Sequence, residues 1–138
     1  MCMPAAPSAA GFTLVELAVV CAMVGVLTAV ALPSYQSHLL RAGRADAVDA
    51  LTRLQLAQAQ FHAAHGLYAT ELSMLRGVPQ PDSALGLYTL AVTGRGNGYR
   101  ATAAATGRQR KDSACTVLSV EVAQGFTHLG PSTRCWNR

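Results

Sequence analysis

Residues 11–32 read GFTLVELAVVCAMVGVLTAVAL, an apolar run in which Glu16 is the only acidic or basic side chain. A helix rises 1.5 Å per residue, so the 21 residues from Phe12 to Leu32 are about enough to cross a hydrocarbon core of ~30 Å. A carboxylate in such a run costs roughly 2.5 to 3.5 kcal/mol at mid-bilayer and less toward the ends. The run therefore predicts a membrane-spanning helix whose one acid needs a cationic partner.

The position of Glu16 indicates where that partner comes from. Glu16 lies four residues after Phe12, close to the spacing at which helical side chains share a face. Cleavage between Gly11 and Phe12 would give Phe12 an α-amino group that carries a positive charge near neutral pH. We therefore expect proteolysis to create the charge that Glu16 lacks, in the same chain or in a neighbouring one.

The motif GFTLVEL at residues 11–17 resembles the processing site of type IV prepilins, the subunits of bacterial pili and of type II secretion pseudopili. The resemblance implies that a membrane peptidase cuts after Gly11 and methylates the amine of Phe12. It also implies that Glu16 pairs with the terminal amine of an adjacent subunit and sets the axial register of the fibre. The alternative is a secretory signal peptide. Such a peptide has an apolar region of about 7 to 15 residues before its cleavage site, whereas this run is longer and follows the candidate site.

On this interpretation the chain has a leader peptide at residues 1–11, a transmembrane and polymerisation helix at 12–33, and a globular head at 34–138. The leader lacks the basic side chains that are usual in prepilin leaders. A misassigned start codon would explain their absence. Arginines follow the apolar run and in a short loop would favour a cytoplasmic C-terminal side, but long folded domains translocate largely regardless of charge. We expect a single-pass inner-membrane protein whose periplasmic head later reaches the cell-surface pilus.

The four cysteines fall in three different segments. Cys2 lies in the predicted leader and Cys21 in the apolar run, which leaves Cys115 and Cys135 in the head. In a periplasmic or extracellular domain two such cysteines are most simply a disulfide, which would stabilise a small head by roughly 3 kcal/mol. Metal binding by this pair is the weaker hypothesis, because neither a CxxC spacing nor clustered histidines accompany it.

Residues 34–65 carry apolar side chains at intervals of three and four, which predicts an amphipathic helix continuous with the membrane run. Pro33 should kink this helix rather than end it, and Gly66 should end it in the left-handed conformation. Resemblance to pilin helices implies that the stretch from Gly25 to Pro33 can loosen on assembly. A role for Gly25 in close helix packing is the equal alternative.

Residues 67–84 have the composition of an irregular connector. Three strand candidates follow at 85–93, 99–105 and 116–122, with the glycine-containing residues 94–98 as the clearest turn. A small antiparallel sheet packed on the C-terminal half of the long helix would bury both apolar faces. The predicted class is α+β, which is also the type IV pilin fold, with a disulfide-bounded loop at the C-terminus.

The C-terminal region resembles that of PilE-like minor pilins. The matching residues are Gly107, Gln109, Asp112, Cys115, Gly125, Cys135 and Trp136. The resemblance implies a minor pilin that supports pilus biogenesis, twitching motility and adhesion. Its implied partners are other pilin subunits, a prepilin peptidase and methylase, and an inner-membrane assembly platform. A type II secretion pseudopilin is an alternative.

The segment GRQRK at residues 107–111 suggests a DNA-binding minor pilin as a further alternative. Arg108, Arg110 and Lys111 would contact phosphates from a loop near the disulfide, as in minor pilins that serve as DNA receptors in natural transformation. A solvated β-turn with ordinary charges is the competing explanation. The chain has 11 basic and 7 acidic side chains, an excess that favours anionic partners only weakly.

No pattern in the sequence favours catalysis. It contains no glycine-flanked serine elbow, phosphate-binding loop or EF-hand loop. Of the four histidines only His62 and His65 share a helical turn, and no further ligands are placed beside them. We therefore predict neither an enzyme, nor a metal site, nor a cofactor.

Overall fold

The computed structural model describes residues 11–78, 80–95 and 97–136, so residues 1–10 of the predicted leader lie outside them. The long helix α1 spans Leu14–His65. The chain divides into two compact units, one up to Gln36 and one from Ser37 onward, and α1 contributes to both.

Four strands form one antiparallel sheet in the order β1-β2-β3-β4, so each strand pairs with its neighbour in sequence. The strands span Tyr88–Arg95 (β1), Gly98–Ala105 (β2), Val117–Ala123 (β3) and Phe126–Gly130 (β4). Three 3-10 helices lie at Leu72–Met74, Gly107–Lys111 and Thr133–Trp136. The predicted α+β class, with a long N-terminal helix and a small antiparallel sheet, is confirmed.

The core of the second unit is formed by α1 and the inner face of the sheet. Side chains of β2 alternate between buried and exposed positions, and buried Ala101 and Ala103 pair across the sheet with buried Val120 and Leu118 of β3. The fully buried apolar side chains of α1 are Ala47, Leu51 and Leu54. Their three- and four-residue spacing is the stripe that a helix needs to cover one face of a sheet.

The C-terminal end of α1 follows the sequence prediction. Gly66 has a positive φ of 73°, and its N–H donates to the carbonyl of His62 at 2.8 Å. Glycine adopts this left-handed conformation without the steric cost that a Cβ would bring. The helix therefore ends at His65, as predicted.

Strand boundaries differ from the prediction most at the start of the first strand and at the turn that follows it. The first strand begins at Tyr88 rather than at Leu85, because the N–H of Leu85 donates to the Asp46 carboxylate at 3.1 Å instead of joining the sheet. The connection between β1 and β2 is shorter than the predicted turn at 94–98, since only Asn97 and Gly96 separate the strands, and Gly96 lies outside the described residues. The fourth strand, β4, was not predicted.

Candidate functional site

The N-terminal apolar segment begins with a capped helix. Thr13 Oγ1 accepts a hydrogen bond from the N–H of Glu16 at 3.2 Å, and the Thr13 carbonyl accepts one from Leu17 at 3.1 Å. Thr13 is thus the N-cap residue, and Glu16 lies in the first turn, where the helix dipole favours a negative charge. Phe12 precedes the helix, so the predicted start at Phe12 is two residues early. The pairing of Glu16 with the amine of Phe12 stays a prediction.

The apolar side chains of this segment are exposed. The most apolar 18-residue window has a mean hydropathy of 2.4, and none of it is buried. Phe12 is 84% exposed and Leu14 86%. By length and composition this part of α1 is able to span a membrane. An apolar surface of this extent is usual where a protein meets lipid or another protein.

Helix α1 continues through both Gly25 and Pro33. Pro33 has no N–H to donate to the preceding turn, so the backbone ladder is one hydrogen bond short there. The Thr28 hydroxyl donates to the carbonyls of Val24 and Gly25 at 2.7 and 3.0 Å, which satisfies this polar group within the helix. Loosening of the Gly25–Pro33 stretch on assembly stays a prediction.

The predicted disulfide is present. Cys115 and Cys135 are bonded, their Cα atoms lie 5.6 Å apart, and both residues are buried. The ring that they close contains β3 and β4. Among the described residues Cys21, in the apolar segment, is a free and exposed cysteine.

The GRQRK segment is not the loop or β-turn that the sequence suggested, because Gly107–Lys111 form a 3-10 helix. Its central residue, Gln109, is buried, and its Nε2 donates to the carbonyl of Leu40 in α1 at 2.8 Å. A side chain at Gly43 would overlap with Oε1 of Gln109, so a glycine in α1 makes room for this contact. The side chains that remain exposed are Arg108, Arg110 and Lys111.

A buried ion pair follows directly after this 3-10 helix. The Arg44 guanidinium donates to both carboxylate oxygens of Asp112, from Nε at 2.6 Å and from Nη2 at 2.9 Å. Its Nη1 donates to the backbone carbonyl of Arg134 at 3.1 Å. The hydrogen bond to Asp112 raises the pKa of Arg44, which keeps the guanidinium charged. One side chain of α1 therefore holds two segments that are distant in sequence.

Tyr88 is fully buried next to this ion pair. Burial raises the pKa of its phenol, and the Gln109 amide partly opposes the rise. The Tyr88 hydroxyl itself meets no group of the described chain in hydrogen-bond geometry. The base of the Gly107–Lys111 helix is thus a closely packed polar layer.

Two further polar residues of α1 fix loops of the head. The Gln58 amide donates to the carbonyl of Ala69 and accepts from its N–H, both at 2.9 Å. The Asp46 carboxylate accepts from the Ser83 hydroxyl and from the backbone N–H groups of Leu85 and Leu87. Sequence reasoning assigned no contact to either residue. One feature of the sequence could have identified them: each is a polar residue at a position of the apolar stripe of α1, where a buried polar group needs a hydrogen-bond partner.

The histidines at the end of α1 pack on aromatic rings. The ring centroid of His62 lies 4.3 Å from that of Tyr68, and that of His65 lies 4.3 Å from that of Phe61. In the part of the chain that the structure describes, no group of three His, Cys, Asp or Glu side chains is arranged to hold a metal ion.

Comparison with known proteins identifies relatives of this chain. A family profile described as "Type IV minor pilin ComP, DNA uptake sequence receptor" matches residues 33–119. The chain is 37% identical over 82 residues to the type IV major pilin protein PilE of Neisseria gonorrhoeae, which covers 59% of this chain and 48% of that protein. A fimbrial protein of Neisseria meningitidis serogroup A is 33% identical over 96 residues, which covers 70% of this chain and 56% of that protein. The chain thus spans about half the length of these relatives.

Proposed function

The chain belongs to the type IV pilin family, and from this membership we propose that it is a minor pilin, a structural subunit of a type IV pilus. One observation carries the proposal: an N-terminal helical segment with a mean hydropathy of 2.4 that is entirely unburied in the single chain. Such a segment needs a lipid bilayer before assembly and neighbouring helices afterwards. The folded, disulfide-bonded head would then lie on the fibre surface.

We further propose that the precursor is cleaved after Gly11 and methylated on the new amine of Phe12. Glu16 lies in the first helical turn, three residues past the N-cap Thr13, so its carboxylate is near the end that cleavage would create. A carboxylate in an apolar bundle is stabilised by a cation. The amine of a neighbouring subunit would supply that cation and thereby fix the axial position of each subunit.

The proposed route requires three sets of partners: a prepilin peptidase and methylase, an inner-membrane assembly platform, and the other pilins of the fibre. The protein would begin in the inner membrane with a periplasmic head and end in a surface pilus that serves twitching motility and adhesion. This role needs no cofactor and no catalytic residue.

Recovery of the protein from sheared surface fibres tests this route. N-terminal sequencing should begin at N-methylated Phe12. The Gly11→Leu variant should accumulate in membranes at precursor mass, whereas Gly25→Leu, the same change inside the apolar segment, should be processed normally. A normal mature mass for Gly11→Leu would refute the proposed cleavage site.

The role of Glu16 is tested separately. Glu16→Val should insert and be cleaved but should enter fibres poorly, because it cannot pair with a neighbouring amine. Glu16→Asp keeps the charge and should retain part of the incorporation. Equal amounts of Glu16→Val and unmodified protein in sheared fibres would exclude the register role.

DNA binding is the second candidate function, and two observations favour it. The matching family profile is described as a DNA uptake sequence receptor, and it includes the GRQRK segment. Arg108, Arg110 and Lys111 project from a 3-10 helix that buried Gln109 holds against α1, so their backbone is pre-ordered. Ordered cations lose less entropy on meeting phosphates than those of a mobile loop.

A triple variant, Arg108→Gln, Arg110→Gln and Lys111→Gln, tests this candidate. The full-length chain in neutral detergent should bind duplex DNA at low salt, and the triple variant should bind it more weakly and with a shallower salt dependence. Absence of a mobility shift for the unmodified chain at low salt would rule out DNA binding.

A further inference from the structure

We infer that Arg134 belongs to the same DNA-contacting surface as Arg108, Arg110 and Lys111, which gives that surface four cations rather than three. The inference rests on the DNA-binding candidate above and extends it to a residue 23 positions further along the chain. The ligand is the phosphate backbone of duplex DNA, contacted without regard to base sequence. The four residues together are called the basic surface below.

The Arg44 guanidinium brings the two parts of this surface together. Two of its nitrogens donate to Asp112, the residue that follows Lys111, while its third donates to the backbone carbonyl of Arg134. A guanidinium is a small, flat and rigid group, so its hydrogen-bond acceptors lie close to one another. The backbone at Arg134 is therefore adjacent to the end of the Gly107–Lys111 helix.

The disulfide makes the same connection covalently. Cys115 follows Asp112 by three residues and Cys135 follows Arg134 directly, and their Cα atoms are 5.6 Å apart. Arg134 lies in the 3-10 helix Thr133–Trp136, where Cys135 and Trp136 are buried and the Trp136 indole N–H donates to the Gly130 carbonyl at 2.9 Å. The backbone that carries Arg134 is thus fixed at three neighbouring points.

The charges of the basic surface are available to a ligand. Among the described residues, Arg108, Lys111 and Arg134 form no ion pair, and all three side chains are exposed. Arg110 donates from Nε to the Ala105 carbonyl at 3.4 Å, and its side chain is exposed. The neighbouring acid, Asp112, is neutralised by Arg44. The result is a local excess of positive charge that the net charge of +4 for the whole chain understates.

The number of phosphate contacts is measurable from salt dependence. Each neutralised phosphate of B-DNA adds about 0.9 to the slope of log affinity against log salt concentration. Four contacts predict an affinity loss of about 150-fold between 50 and 200 mM salt, whereas three predict about 40-fold. The difference separates a four-cation surface from a three-cation one.

The test is fluorescence anisotropy with a labelled 20-bp duplex and the full-length chain in neutral detergent. Arg134→Gln removes the cation but keeps the backbone carbonyl to which Arg44 donates, so the fold should be retained. We expect its affinity loss over this salt range to fall from about 150-fold to about 40-fold, with weaker binding at 50 mM. The matched control is Arg76→Gln, which removes an exposed arginine beside Phe61 and His65, at the far end of the head part of α1.

The outcomes distinguish the inference from the function on which it rests. An Arg134→Gln variant with the salt slope of Arg76→Gln, while the triple variant is impaired, would overturn the role of Arg134 and leave DNA binding intact. No binding by the unmodified chain would overturn both. An equal reduction in slope for Arg76→Gln and Arg134→Gln would also overturn the inference, because the effect would then reflect total charge alone.

Discussion

The two parts of helix α1 have the same backbone conformation and opposite relations to their surroundings. From Leu14 to Gln36 every side chain is exposed, and nearly all are apolar. From Ser37 to His65 the helix is more polar, yet it contains all of its buried residues. These are Asp46, Ala47, Ala50, Leu51, Leu54, Ala57 and Gln58. Hydropathy therefore locates the part of the helix that the single chain leaves uncovered, not the part that organises its fold.

Polar contacts distinguish the second part of α1 further. Arg44, Asp46 and Gln58 each reach a different loop of the head, whereas the alanines and leucines between them cover the sheet. Apolar packing is nondirectional, but hydrogen bonds to named backbone groups admit one arrangement. We infer that these three residues select the loop positions while the apolar stripe supplies most of the stability.

The largest effect that would test this contrast is expected at Arg44. Arg44→Met should lower the free energy of unfolding by about 3 to 5 kcal/mol, because it leaves the buried Asp112 charge without a partner. Arg53→Met is the control. Its ion pair with Asp49 is 59% and 54% exposed, so we expect a change below about 1 kcal/mol. Urea unfolding followed by the fluorescence of Trp136, the single tryptophan, measures both, and equal losses would contradict the contrast.

The disulfide ranks next. Replacing Cys115 and Cys135 together by serine should cost roughly 3 kcal/mol, since the unfolded chain regains the entropy that the ring removes. Cys21→Ser changes a free cysteine in the apolar segment and should leave head stability unchanged. Limited proteolysis of the three proteins provides the measurement. If the head resisted the protease equally with and without the disulfide, the hydrophobic core alone would be sufficient for its stability.

A smaller effect depends on pH and concerns Tyr99 in the core of the head. Burial raises the pKa of Tyr99 to about 12 from an ordinary value of 10. The folded state then holds the phenolic proton more tightly than the unfolded state, so stability is fully present below pH 10 and is lost as pH rises towards 12. We expect Tyr99→Phe to remove about 2 kcal/mol of this alkaline destabilisation at pH 12. The measurement is the free energy of unfolding of Tyr99→Phe and of the unmodified protein at pH 8 and pH 12. An equal loss between the two pH values for both proteins would contradict the prediction.

The smallest effect compares two glycines of α1. Gly43→Ala should lower the free energy of unfolding by about 1 kcal/mol. Displacing Gln109 from its hydrogen bond with Leu40 costs about 1 to 3 kcal/mol. The better helix propensity of alanine offsets about 1 kcal/mol of that cost. Gly25→Ala meets no atom within 4 Å and should cause no loss. Equal melting temperatures for the two variants would show that Gln109 moves freely.

Much of the fold was predictable because its signals are local. The apolar run, the end of α1 at Gly66 and the Cys115–Cys135 pairing each follow from a residue type and its immediate neighbours. Three of the four strands were also found. Strand β4 was missed because it is short and mostly exposed at the sheet edge, so it lacks the alternation by which strands are recognised.

The contacts of the candidate site were harder to predict, because they join residues that are distant in sequence. Arg44 and Asp112 are separated by 68 positions, and Gln109 and Leu40 by 69. The resemblance marked Gln109 and Asp112 but gave no contact for either, and Leu40 and Arg44 look like ordinary helix residues until their partners are known. The 3-10 conformation of GRQRK has the same origin, since burial of Gln109 against α1 fixes a segment that composition alone assigns to a turn.

The ring closed by Cys115 and Cys135 has a practical consequence at the turn between β3 and β4. Gln124 and Gly125 both have positive φ and are exposed at the tip of this hairpin. A cut in the backbone there would leave both fragments joined through sulfur. The hairpin tip is therefore a suitable place to graft an affinity tag or a foreign epitope, which would be displayed outward while its two stems stay anchored in the head.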